Sequence, residues 1–255
     1  MNRAVALVIG TVLLRPYVFA FLAAFIIAGV RDLGRRRTAL FAACVWPLAL
    51  LAELSSTRTG VPFGLYHYTG DTRHRELFIA DVPFMDSLSF VFLAYASFCL
   101  ARVVLGERVA APGDGRVRLA AVSGLLMMLL DVVIDPLAVR GDRWFLGHIF
   151  YYPEGGLYFG VPLSNFVGWA LVGTAGTGLY LFLATKSPSG DREGPGIALY
   201  YAVLAFNLAV TAWIGEWMLV GMGVSIHAAT AGVLRSLSGT MRRRHRQLER
   251  GAKST

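Results

Sequence analysis

Two carboxylic acids, Asp131 and Asp135, stand four residues apart near the end of an apolar run, in the stretch LLDVVIDPLAVRGDRWFLGHIFYYPEGGLYFGVPLSNFVGW (129–169). That spacing puts both on one face of a helix. Glu53, Asp86, Glu216 and the amide of Asn165 sit in or at the ends of other apolar runs. A carboxyl group costs free energy in hydrocarbon, so such residues are read as a functional site by default. An apolar setting can hold a carboxylic acid neutral until it is used as a proton donor. A second carboxylate can orient or deprotonate water. A weakly basic acceptor that needs such a donor is the trisubstituted double bond of an isoprenoid, which gives a tertiary carbocation that aromatic faces can stabilise. On this reading Asp131, Asp135, Glu53 and Glu216 are the candidate acid and base groups. Asp86 and Asn165 give hydrogen-bonding support, and Tyr66, Trp144, Tyr158 and Trp217 are candidate substrate-lining residues.

Each group also has a structural reading. Asp135-Pro136 can simply end a helix, and Glu53 and Asp86 can be interface residues. Tyr66, Tyr68, Trp144, Tyr151, Tyr152 and Tyr158 can form an interfacial aromatic belt. His227 reads as a core histidine. His67, His74 and His148 lie in loops without HxxxH or HExxH spacing, so no metal site is expected from them.

The segments that carry these groups are long and apolar. The chain has 255 residues, is 56% hydrophobic and only 16% charged, and has a mean hydropathy of +0.57. Soluble domains carry about 25% charged residues. The predicted fold class is therefore an all-α polytopic transmembrane bundle of about seven spans. The spans are 5–30 with a kink at Pro16, 39–54, 83–105, 119–135, 162–184, 197–219 and a weaker 224–237. Residues 1–238 then form the membrane domain and 239–255 a basic tail. The first span reads as a retained helix rather than a removed signal. Cys44 and Cys99 both fall in apolar runs and read as free core thiols.

Net charge is +8, nearly all of it from arginine, and 17 of the 24 Arg and Lys residues fall in alternate loops, at the span ends that flank them, and in the tail. Positive-inside bias predicts an outer N-terminus and a cytoplasmic tail, in the inner (cytoplasmic) membrane. Arginines that flank apolar segments point to membrane lipid as the partner and away from nucleic acid. On this map all six polar groups fall toward the outer half, as one site under two aromatic loops. There is also a short internal echo. VPFMD follows the loop after Glu53, and VPLSN follows the loop after Asp131 and Asp135, in parallel order.

GVPFGLYHYT, IADVPFMDSLSF, LLDVVIDPLAVRGDRW and GLYFGVPLSNFVGW together resemble motifs of the integral-membrane carotenoid hydratase family, the CruF type that includes bisanhydrobacterioruberin hydratases. The resemblance covers roughly residues 53–169. It implies hydration of the terminal double bond of an acyclic carotenoid, such as lycopene, to a tertiary alcohol, with a carotenoid as substrate and no cofactor. Other classes fit less well. A UbiA-type prenyltransferase should carry two Asp-rich motifs, and only one DxxxD is present. A transporter should show broken helices or inverted repeats, whereas the echo runs parallel. A microbial rhodopsin needs a lysine in its last helix, which the seventh span lacks.

Overall fold

The structure, a computed structural model, describes residues 2–106, 114–184 and 193–252, with side chains through residue 234. The side chains of the basic tail and most of the connector before residue 193 lie outside the described residues. Six helices are long and apolar enough to cross a membrane: α3 (Arg35–Thr59), α4 (Phe84–Leu105), α5 (Asp114–Ala138), α6 (Leu163–Leu183), α7 (Gly194–Trp213) and the apolar part, Trp217–Leu234, of α8 (Trp217–Ala252). The 22 residues of α4 rise about 33 Å, close to the ~30 Å hydrocarbon thickness. A seventh span is reached if the bent pair α1 (Arg3–Leu14) and α2 (Pro16–Asp32) counts as one. The protein is a multi-pass helical membrane protein.

The first expected span is corrected. The kink predicted at Pro16 is an 88° break, so α1 and α2 are separate helices. Pro16 opens α2 at its first position, where its missing N–H costs nothing. Arg15, at the break, has a buried guanidinium that pairs with Glu76 (3.1 Å) and donates to the Leu146 carbonyl (2.8 Å). The Thr11 hydroxyl accepts the N–H of Leu77 at 2.8 Å. These contacts strap α1 and the break onto the loops before α4 and α6.

The sixth span is corrected as well. α7 stops at Trp213, and Gly215 turns the chain with φ +79°. That left-handed conformation is one glycine adopts freely. α8 therefore begins at Trp217, ahead of the expected 224. Another expected stop moves the other way, because α5 runs through Pro136 to Ala138 instead of ending at Asp135.

α4 is the most enclosed helix, packed by α2, α3, α5 and α7. α5 and α6 approach so closely that a Cβ on Gly124 would sit 2.3 Å from the Ala170 carbonyl oxygen, the small-residue contact typical of membrane helices. Successive helices alternate in direction. One end of the bundle therefore gathers the C-termini of α3, α5 and α7 and the N-termini of α2, α4, α6 and α8. Its two long loops are joined by β1 (His67–Tyr68), which pairs antiparallel with β4 (Phe150–Tyr151). A small hairpin of β2 (Phe78–Ile79) and β3 (Val82–Pro83) leads into α4. The arginine-rich segments lie at the opposite end.

Candidate active site

The VPFMD and VPLSN echo has a local structural counterpart. Pro83 and Pro162 are the extended N-cap residues of α4 and α6, with φ/ψ of −60°/130° and −71°/147°. Asp86 and Asn165 thus occupy the same position, the first turn of their helices. Each reaches a preceding helix. The Tyr68 hydroxyl donates to Asp86 Oδ2 at 2.5 Å and lies 3.5 Å from Glu53 Oε1, joining α4 to the last two turns of α3. The Asn165 amide nitrogen donates to Asp131 Oδ2 and to Asp135 Oδ2, both at 2.7 Å, joining α6 to the end of α5. One amide therefore clamps both carboxyls, which also lie within hydrogen-bonding reach of each other.

Asp131 is 0% exposed, Asn165 1% and Glu53 3%. Among the described residues, Glu53, Asp86, Asp131 and Asp135 have no Arg, Lys or His ion pair, and the second oxygens of Glu53 and Asp131 have no hydrogen-bond partner. Burying a carboxyl with neither a counter-ion nor full hydrogen bonding is expensive, so groups held this way stand out from those that only stabilise a fold.

All of these groups but Asp131, which lies behind Asp135, face one cavity. Glu53, Tyr68, Asp86, Asp135 and Asn165 form its polar end. Its other arm runs between α2, α4 and α7 and is, apart from the Asn207 amide, mainly apolar and aromatic, with Tyr17, Phe21, Phe92 and Phe206. Tyr17 stacks on Phe206 with centroids 5.1 Å apart, and Trp169 stacks on Phe90 at 4.2 Å. Over the polar end, Tyr66, Tyr68, Phe150 and Tyr152 interlock as a lid with centroid spacings of 5.4–6.2 Å. Burial, reinforced by the Asp86 and Glu53 carboxylates, pushes the Tyr68 phenol well above its usual range, so it serves as an O–H donor. Tyr66 is pushed up by burial and the same two acids.

The structure thus brings together Glu53, Asp86, Asp131, Asp135, Asn165, Tyr66 and Trp144 around one cavity, with Asp131 behind Asp135. It does not bring in Glu216, Trp217 or Tyr158. Glu216 was expected inside a span, but it lies in the α7–α8 turn, paired with Arg143 and with Arg140 at 3.3 Å. What burial it has favours the neutral acid, but the two guanidiniums outweigh it and hold the carboxyl below its usual range. Trp217 opens α8 at 69% exposure. Tyr158 packs on Phe159 and Phe166 away from the cavity. His227, expected in the core, is half-buried and meets the Leu129 carbonyl at 3.0 Å.

Tyr68 and Tyr152 were legible only as belt aromatics. Their alternation with Tyr66 and Phe150, on two loops that pair as strands, is the signal that could have placed them in the lid. Among the described residues, no three His, Cys, Asp or Glu side chains form a metal-holding group.

The family profile described as carotenoid biosynthesis protein matches residues 4–230, which include every residue around this cavity. The chain belongs to that family. It is also 32% identical over 157 residues to a protein named bisanhydrobacterioruberin hydratase from Haloarcula japonica. The match covers 62% of this chain and 49% of that protein, so the chain spans about half the length of this curated relative. No solved structure matches the chain.

Proposed function

We propose that this carotenoid biosynthesis protein is a hydratase, adding water across the terminal double bond of an acyclic carotenoid end group to give a tertiary alcohol. The observation that carries the reading is the Asp131–Asn165–Asp135 arrangement, one buried and one half-buried carboxyl clamped by one amide at the polar end of a largely aromatic cavity. The apolar arm suits a polyene arriving from the lipid, with its end group against Asp135.

Asp135, which lines the cavity, gives its proton to the less substituted alkene carbon and leaves a tertiary cation. Asp131 does not line the cavity; it acts through Asp135 as a positioning and proton-sharing partner. Aromatic faces of Tyr66, Trp169 and Trp144 stabilise the cation. A water oriented by Glu53, with Tyr68 and Asp86, bonds through oxygen to the cation, and its released proton passes to a carboxylate. Net, one alkene and one water become one alcohol, and the carboxyls end as they began. The arginine distribution supports placing this end of the bundle outside the cytoplasmic membrane. In a carotenoid-producing host, the wild-type chain should yield pigment heavier by one water, and Asp131→Asn and Asp135→Asn should not. Unchanged yield from well-inserted Asp135→Asn protein would exclude the assignment.

A further inference from the structure

An apolar substrate can reach the acids through lipid, but the second substrate is water. Each turnover consumes one water and no net proton, so the site needs a route that passes water alone. The lid that covers the acids is aromatic, and one of its members faces two ways. Tyr152 lines the acid cavity and also a second, polar cavity open at the surface. Arg140, Arg143 and Glu216 border this vestibule, with Leu157 and Gly160.

The vestibule is held open by named contacts. Arg140 donates to the Pro136 carbonyl (2.7 Å) and to the Phe159 carbonyl (2.8 Å). The same guanidinium pairs with Glu216. Arg140 thus ties the end of α5, one residue beyond Asp135, to the second lid loop and to the α7–α8 turn. This gives Glu216 a place in the molecule that the acid cluster does not.

We propose that this charged vestibule is the water port of the site and that the Tyr152 ring is its gate. The inference rests on the hydratase reading and adds the route of the second substrate. A tyrosine turns about two side-chain torsions, so a small rotation joins the cavities while Tyr66 and Phe150 keep the rest of the lid closed.

Two measurements test it. Leu157 is 85% exposed on the vestibule rim, and the native thiols Cys44 and Cys99 are buried. Purified Leu157→Cys protein is treated with a methanethiosulfonate reagent bearing a bulky ammonium group. Turnover of an acyclic carotenoid should fall about tenfold and recover with dithiothreitol, while bound pigment stays constant. Leu163→Cys, exposed at the same end but outside both cavities, should be unaffected. Full turnover by the modified protein would overturn the port. If the wild-type protein hydrates no carotenoid, the hydratase reading fails and the port with it.

The second measurement needs no turnover. Ser89 lines the acid cavity. A cysteine there should react with a small charged thiol reagent about tenfold faster when Tyr152→Ala removes the gate. An unchanged rate would overturn the gate even if hydration stands.

Discussion

Buried carboxyls occur at both ends of this bundle, and two groups of them are handled in opposite ways. At the arginine-rich end, Asp32 pairs with Arg102 at 2.7 Å and accepts from Tyr95 at 3.2 Å, while Arg102 also holds Glu193 at 2.8 Å. At the other end Glu76 is likewise paired, with Arg15, but Glu53, Asp86, Asp131 and Asp135 converge with tyrosine and asparagine partners and no ion pair among the described residues. The first arrangement clamps α2, α4 and the start of α7. Its charges answer each other, and its value is positional. The second puts uncompensated acids beside an aromatic cavity, a poor way to hold helices together and a good way to keep a proton donor. The lesson is that burial of an acid says little about its role until its partner is known.

If that contrast is right, breaking the paired end should cost stability. Arg102→Leu leaves the Asp32 carboxylate buried without its cation and should destabilise the fold by about 3–5 kcal/mol, lowering the thermal midpoint in detergent. Adding Asp32→Asn should restore much of the loss, and correctly folded molecules should keep their turnover.

The acid end should show the reverse. Asp135→Asn should lower turnover by about 100-fold, ~2.7 kcal/mol in the barrier, with the thermal midpoint held or raised. Tyr68→Phe removes the hydroxyl between Glu53 and Asp86 and should cost about tenfold in turnover, with less effect on pigment binding. Glu216→Gln should have the smallest effect, less than about threefold in turnover, because its ion pairs are partly exposed. Its pH signature is specific. The folded pKa of Glu216 is lowered, so its contribution is complete above the ordinary glutamate value of about 4.3 and is lost as pH falls through the folded value. Thermal melts of wild type and Glu216→Gln should converge at the acid limit.

Hydropathy and charge made the all-helical membrane bundle and its alternating ends legible, because long apolar runs and arginine-rich loops are local features. The acids of α3, α4 and α5 were legible for the same reason, as costly groups in apolar runs. What failed depended on distant partners. Pro16 marked where the first run bends, but the size of the bend, 88°, goes with the contacts of Arg15 to Glu76 and Leu146, which no local pattern connects to it. Glu216 looked embedded because the apolar run continues past it, and only the left-handed Gly215 divides that run. Tyr68 looked like any belt aromatic because its two acceptors lie on separate helices.

The most direct test of the account is isotopic. Purified protein in nanodiscs is incubated with an acyclic carotenoid in heavy-oxygen water, and the product is analysed by mass spectrometry. One labelled oxygen per product molecule, placed on the tertiary carbon and lost in Asp135→Asn protein that still binds pigment, is the predicted result. Product without the label, or full labelling by the Asp135→Asn variant, would contradict acid-catalysed hydration at the Asp131–Asn165–Asp135 site.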